Sequence, residues 1–285
     1  MGMKAAHRIA TFFKYFVLIL VGLIMIYPLL WMVSATFKDN SEIFAGISLW
    51  IKNPTLEGYR NALNDFGGSI NIIQAMINTY SYVIPKVILT VVSACIAAYG
   101  FGRFDFPGKK IMFSIMLSTL FLPQVVLNVP QFLLYNSFGW INSPFYLAIW
   151  VHCAFATETY FVYQLIQFLR NVPRDLDEAA SIDGCNSFQT LYKVIVPMLL
   201  PALVSCALFQ FMWSCNDFMG PLLYVSTPAK YPMSLFVKLS MDGDTGFAWN
   251  RILALSLISI LPQLNVFFCA QDQFVEGISA GAVKG

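Results

Sequence analysis

The sequence contains few charged residues. Asp, Glu, Lys and Arg make up 11% of its 285 residues, against about 25% in a typical soluble domain, whereas 58% are hydrophobic. A water-soluble core of this size could not bury so much apolar surface, but helices that face lipid could. The formal net charge of +2, without a basic run interleaved with aromatic residues, gives no reason to expect a nucleic-acid partner. We therefore expect an all-α membrane protein.

Metal ligands and nucleotide-binding motifs are also scarce. The chain has two histidines, His7 and His152, and none of its six cysteines pairs at CxxC spacing, so neither a disulfide framework nor a metal site is predicted. The nearest approach to a phosphate-binding loop, at 102–110, has five residues between its glycines instead of four and lacks the Ser or Thr that holds Mg²⁺. The sequence thus predicts no catalytic residue, no metal and no cofactor bound by this chain.

Long apolar segments dominate the chain. A helix needs about 20 apolar residues to cross about 30 Å of hydrocarbon. Six segments have this length, at 15–34, 77–101, 111–131, 145–168, 199–224 and 252–274. The first follows Lys4, Arg8 and Lys14 as a signal peptide would. It is too long for a signal core and lacks a small-residue cleavage site, so we expect a retained anchor.

The positions of Lys and Arg predict the orientation. With the N-terminus in the cytoplasm, the segments on that side hold ten Lys and Arg residues and those on the opposite side hold six. This bias places both termini in the cytoplasm, together with the polar segment 169–198 between the fourth and fifth spans.

The segment 169–198 has the pattern of two short helices. Acidic residues after Pro173 favour a first helix, because the helix dipole attracts negative charge to the first turn, and Gly184 tolerates the left-handed turn that would end it. Asn186 or Ser187 can cap a second helix, which two prolines would bend into the fifth span. A helix on the lipid surface is the alternative, but such helices are usually basic. The surface that another protein could approach comprises four acidic and three small residues, Asp175, Asp177, Glu178, Asp183, Ala179, Ala180 and Gly184.

The stretch that begins at Glu178, EAASIDGCNSFQTLYKVIVPMLLPAL, resembles the EAA loop of ABC-importer permeases. The residues that match the pattern are Glu178, Ala179, Ala180, Gly184, Val196 and Pro197. The runs Ile182-Asp183-Gly184 and Val172-Pro173 are similar to the carbohydrate-uptake branch, that of the maltose-type permeases. Further similarity at 97–108, 216–222 and 274–285 extends the resemblance over nearly the whole chain from about residue 15.

The resemblance implies a type I ABC-importer permease fold with six transmembrane helices in one domain over residues 1–285, in the bacterial cytoplasmic (inner) membrane. It implies that segment 169–198 is a coupling loop that binds a partner ATPase. The implied partners are a second permease that completes a heterodimer, two cytoplasmic ABC ATPases that bind ATP and Mg²⁺, and an extracytoplasmic substrate-binding protein. This chain would then be a non-catalytic subunit, and its tail at 276–285 is predicted to contact the ATPases.

Ionisable residues within the predicted spans are expected to be functional, because charge is costly in lipid. At 1.5 Å per residue, Lys86, His152 and Asp217 each lie about 10 Å from the outer face, which predicts a wet cavity there. These residues and Asn216 could contact a substrate. Alternatively, Lys86 and Asp217 form a structural ion pair. Glu158 is a packing residue, a gate or a ligand contact.

The substrate implied by the resemblance is a sugar or oligosaccharide. Lys86 and His152 favour an acidic one, such as a uronate oligosaccharide of the alginate type. The alternative function is an ATP-independent channel or secondary transporter for small polar solutes, against which the coupling loop argues.

Overall fold

The computed structural model describes residues 2–64, 70–241 and 248–282, and the regular elements of these residues are helical. The α-helices are α1 (Gly2–Ala35), α2 (Asn40–Ile43), α3 (Glu57–Leu63), α4 (Ile72–Arg103), α5 (Lys109–Thr119), α6 (Gln124–Ser137), α7 (Leu147–Trp150), α8 (Thr159–Leu169), α9 (Asp175–Ile182), α10 (Ser187–Thr190), α11 (Val196–Met198), α12 (Leu200–Cys215), α13 (Met219–Tyr224), α14 (Met233–Leu239) and α15 (Trp249–Ala282). Shorter turns are 3₁₀ at Val151–Phe155 and Pro228–Lys230 and π-helical at Leu191–Ile195. The predicted ATPase contact at 276–285 falls partly on residues 283–285, which lie outside the described ones, and stays a prediction.

The chain forms two compact units. One comprises Met1–Ile72 and Val237–Ile260, and the other comprises Ile73–Phe236 and Leu261–Gly285. The single transmembrane domain predicted over the whole chain stays a prediction.

The first unit contains α1 and the start of α15. The span Arg8–Ala35 has no buried residue in its most apolar window, so its side chains are free to face lipid. The backbone N–H of Asn250, in the first turn of α15, donates to Asn40 Oδ1 at 3.0 Å. A Cβ on Gly58 of α3 would lie 2.7 Å from the carbonyl oxygen of Asn250. Glycine at this position therefore lets α3 approach α15 closely.

The core of the second unit forms where α8 packs against α5 and α12. Phe161 and Leu165 of α8 are fully buried there, together with Cys206 of α12. Gly102, near the end of α4, lets Leu169 approach: a Cβ on this glycine would lie 2.4 Å from Leu169 Cδ2. The end of α4 thus packs directly against the end of α8, where the coupling loop begins.

Three helices in the described part of the chain are long and apolar enough to cross a membrane, or up to five if each of two bent helix pairs counts as one span. The three are Arg8–Ala35, Ile72–Arg103 and Trp249–Asp272, which correspond to the predicted spans 15–34, 77–101 and 252–274. The number of six spans and the cytoplasmic position of the termini stay predictions.

The predicted third and fifth spans are wrong as continuous helices. The third, 111–131, consists of α5 and α6, which are inclined to each other by 103°. The ring of Pro123 disfavours a helical backbone at Leu122, and Pro123 itself is extended with ψ 124°. The fifth, 199–224, is interrupted at 216–218, between α12 and α13.

The predicted fourth span, 145–168, is also discontinuous. Its 3₁₀ turn ends at Phe155, the next residue Ala156 is left-handed with φ 54°, and α8 begins only at Thr159. Thr157 Oγ1 donates to the carbonyl of His152 at 3.0 Å. Such local side-chain bonds compete with helical hydrogen bonds, and here they accompany the break.

Candidate functional site

The coupling loop folds as a helix, a glycine corner and a second helix, as predicted. Helix α9 carries three acidic residues in its first turn, and the left-handed Gly184 (φ 81°) follows its end. Asn186 Oδ1 accepts from the Gln189 N–H at 2.9 Å, while Gln189 Oε1 accepts from the Asn186 N–H at 2.9 Å. This capping box starts α10. Helix α9 begins two residues after Pro173 rather than at it, and the segment Ser187–Met198 meets α12 at 79°.

The outward face of the coupling loop is acidic with apolar side chains beside it. Its exposed acidic and small residues are Asp175, Glu178, Ala179, Asp183 and Gly184. Ala180 is 5% exposed, so its predicted place on this surface is wrong: it faces the interior of the chain. Ile182 and Phe188, 86% and 72% exposed, belong to the face and were not predicted. Ile182 follows Glu178 by four residues, one helical turn, which is the signal that could have identified it. The contact of this face with an ATPase stays a prediction.

The inner side of the coupling loop is attached to the end of α4. Arg103 Nε lies 2.9 Å from Asp177 Oδ2, and the two side chains are 8% and 21% exposed. Arg103 Nη2 also donates to the carbonyl of Val172 at 2.9 Å, and Arg174 Nη2 donates to the carbonyl of Gly102 at 3.4 Å. Asp177, predicted as part of the outward surface, is therefore an internal contact.

The second unit contains a cavity of about 760 Å³, within the size range of small-molecule sites. Lys86 from α4, His152 from the 3₁₀ turn and Asp217 from the break after α12 all line it. The structure thus brings together the three ionisable residues that the sequence placed at one depth. Glu158 lines the cavity as well, whereas Asn216 does not.

Asp217 and Asn216 make contacts within the chain. Asp217 Oδ1 accepts from the N–H of Gly220 at 3.0 Å, at the start of α13. Asn216 Nδ2 donates to the Met212 carbonyl at 2.8 Å and to Gln263 Oε1 at 3.1 Å. The alternative ion pair between Lys86 and Asp217 is not formed, since none of the ion pairs of 4.0 Å or less within residues 70–241 joins them.

One cluster beside the cavity has the chemistry of a metal site. His152, Cys153 and Glu158 present ligand atoms that all lie within 4.8 Å of one another. Glu158 Oε1 lies 3.9 Å from His152 Nε2 and accepts a hydrogen bond from Cys153 Sγ at 3.6 Å. The three residues could hold a divalent cation only after the thiol loses its proton, and the positive charge of Lys86, which acts on both His152 and Cys153, would repel such a cation.

The sequence reasoning missed three amide side chains on the cavity wall. Gln124, Asn128 and Gln131 of α6 all line the cavity. Their spacing of i, i+4 and i+7 places them on one face of an otherwise apolar helix. That polar stripe was the signal that could have identified them. The aromatic rings on the same wall belong to Tyr135, Tyr160 and Tyr224.

The comparisons with known proteins agree on one family. Residues 90–271 match the family described as binding-protein-dependent transport system inner membrane component. A probable ABC transporter permease of Pyrococcus horikoshii is 31% identical over 93% of this chain and 94% of that protein. The trehalose/maltose transport system permease MalG of Thermococcus litoralis is 30% identical over 94% of each. The galactooligosaccharides transport system permease GanQ of Bacillus subtilis is 27% identical over 99% of each.

The fold has a solved counterpart. A bacterial ABC transporter involved in the import of the acidic polysaccharide alginate superposes with a TM-score of 0.78, over 94% of this chain and 98% of that one. At 19% sequence identity this likeness concerns the fold alone. The resemblance to ABC-importer permeases, including the maltose-type branch, is thereby confirmed, and the chain belongs to the family of binding-protein-dependent transport system inner membrane components.

Proposed function

We propose that this chain is the permease subunit of an ATP-driven importer for a sugar or oligosaccharide. The observation that carries the proposal is a cavity with amide, tyrosine and charged side chains on its wall, within a chain of apolar helices. Amide side chains and tyrosine rings on its wall are the groups that bind sugar hydroxyls and the apolar faces of sugar rings. Relatives named for trehalose/maltose and for galactooligosaccharides support a carbohydrate as the substrate.

The energy for import comes from partner subunits. The exposed face of the coupling loop offers Glu178 to a basic residue and Ile182 and Phe188 to an apolar groove. Two cytoplasmic ABC ATPases would bind there, one on each of two permeases, while an extracytoplasmic binding protein delivers the substrate. The complex would lie in the bacterial inner membrane.

Lys86 favours an acidic oligosaccharide such as a uronate. No other Lys or Arg is among the residues that line the cavity, all of which lie within residues 70–241. The two carboxylates on the wall already have partners, Asp217 with the Gly220 N–H and Glu158 with His152 and Cys153. Among the Lys, Arg, Asp and Glu side chains on the cavity wall, Lys86 is therefore the one available to bind a charged ligand.

The ATPase partnership is tested by affinity purification from detergent-solubilised membranes. The wild type should retain an ABC ATPase and a second permease, and Glu178→Lys/Gly184→Asp should lose the ATPase alone. Asp105→Lys, a charge reversal at an exposed acid outside the coupling loop, is the matched control and should keep every partner. A folded wild type that is purified alone and transports without ATP would refute the proposal in favour of a channel or secondary transporter.

The substrate class is tested by uptake into proteoliposomes that contain the complete complex. Lys86→Met should slow uptake of an acidic oligosaccharide and leave that of a neutral one unchanged, and Lys86→Arg should retain both. An equal loss for both substrates would assign Lys86 a structural role instead.

A further inference from the structure

The segment after α1 carries an apolar tip at residues 43–51, IFAGISLWI. It contains no charged residue, and Ser48 supplies its one polar side chain. Phe44, Ile47 and Trp50 are 67%, 75% and 79% exposed. Three large apolar side chains on nine residues form a surface that water does not favour.

Three consecutive backbone carbonyls of the apolar tip accept hydrogen bonds from side chains of α1 and of the turn that follows it. The donor and acceptor pairs are Tyr27 with Ile47, Lys38 with Ser48, and Ser34 with Leu49, the last at 2.7 Å. Lys38 is 1% exposed, so its ammonium group makes this hydrogen bond inside the unit and is shielded from solvent. Water would satisfy the carbonyls of an ordinary surface loop. Internal donors are required where the surroundings cannot donate, as in lipid.

The bond from Tyr27 also fixes the direction of the apolar tip. Tyr27 lies eight residues before Ala35, the last residue of α1, which is about 12 Å along the helix axis. The chain at Ile47 therefore turns back along α1 instead of extending away from its end. The apolar window of α1 has no buried residue, so the tip adjoins an apolar surface that is free to face lipid.

A polar neck closes the base of the apolar tip. Glu42 Oε1 accepts from the backbone N–H of Lys52 at 2.8 Å, and Oε2 accepts from that of Asn53 at 3.3 Å. These hydrogen bonds, the Lys52 one foremost, lower the pKa of the Glu42 carboxyl below its ordinary value. A charged neck and an uncharged tip match a boundary at which water ends and hydrocarbon begins.

We propose that the apolar tip inserts into the bilayer at the headgroup–acyl boundary, beside α1. It would anchor this unit at the face of the membrane where α1 ends, at Ala35. Interfacial segments insert about 5–10 Å at this boundary, where Trp is enriched, and Trp50 is the most exposed large apolar side chain of the tip. Lipid is favoured over a protein partner because the tip has neither charge nor free carbonyl at 47–49 with which to recognise one. The proposal depends on neither the substrate nor the ATPases.

The test places an environment-sensitive fluorophore on single cysteines of the complete complex in liposomes. Cys185 and Cys269, the described cysteines that are not buried, are first replaced by Ser. Probes at Ile47→Cys and Trp50→Cys should show blue-shifted emission, lose fluorescence to lipids that carry an acyl-chain nitroxide, and resist iodide. The matched control, Asn53→Cys at the exposed neck, should respond in the opposite way.

Each other outcome overturns the proposal. Quenching of both tip probes by iodide would place the tip in water. Protection from both quenchers would show that a protein subunit covers it. Should the cysteine variants fail to assemble, the native chain supplies a second measurement in liposomes of brominated lipid. Trp50→Phe should then lose part of the lipid-quenchable tryptophan fluorescence, and an unchanged quenched fraction would also refute insertion.

Discussion

Breaking the pair between Arg103 and Asp177 should detach the coupling loop from α4. The side chains are 8% and 21% exposed at a separation of 2.9 Å, and removal of one partner from a buried ion pair costs about 3–5 kcal/mol. The Arg103 Nε–H is not aligned for a hydrogen bond with the Asp177 carboxylate, although both carboxylate oxygens are buried, so the pair is weaker than a well-aligned buried one. We therefore expect a loss of about 2 kcal/mol, which changes the ratio of attached to detached loop about 30-fold.

The assay is the amount of substrate imported per ATP hydrolysed in proteoliposomes. Asp177→Asn, which leaves the bond from Arg103 to Val172 in place, should lower this ratio while the ATPases stay bound. The exchanged pair Arg103→Asp/Asp177→Arg should restore part of it. Lys109→Gln is the matched control, because its partner Asp105 is 85% exposed and the pair contributes little. The reasoning is refuted if Asp177→Asn and Lys109→Gln both couple as the wild type does.

Two further predictions concern the cavity wall and the apolar tip. Gly220→Ala should slow uptake while the complex stays intact. The added Cβ would lie 2.5 Å from Asp217 Oδ2 and would displace the carboxylate, which accepts a hydrogen bond from the N–H of residue 220. Uptake at the wild-type rate would contradict this. The lowered pKa of Glu42 means that its stabilisation of the neck is present above its ordinary value of 4.5 and is lost as the pH falls through the lowered value. The blue shift of a probe at Trp50→Cys should therefore decline only below pH 4.5, and Glu42→Gln should remove this pH dependence.

The coupling loop could be predicted because its signals act over a few residues. Gly184 adopts a left-handed backbone conformation that would strain other residues, and Asn186 caps a helix that starts at the next residue. The attachment of this loop could not be predicted in the same way. Arg103 and Asp177 lie 74 positions apart, and only the packing of α4 against α8 brings the two charges together.

The broken spans show a different limit of the sequence. Hydropathy is summed over a window and carries no direction, so α5 and α6 gave the signal of one span although they meet at 103°. Pro123 marked the break, and the amides at Gln124, Asn128 and Gln131 marked the face that lines the cavity. These local signals distinguish a bent, cavity-lining pair from a straight span where average hydropathy does not.

Helix α4 joins the cavity to the coupling loop as a stiff rod. Lys86 and Arg103 lie 17 residues apart in one helix, about 25 Å, and no proline lies between them, whereas Pro85 immediately precedes Lys86. A tilt of this rod by about 10° around its Arg103 end would carry the Cα of Lys86 through about 4 Å, roughly the reach of an ion pair. If a partner displaced the loop modestly, the tilt of α4 would bring a positive charge to the cavity wall or withdraw it.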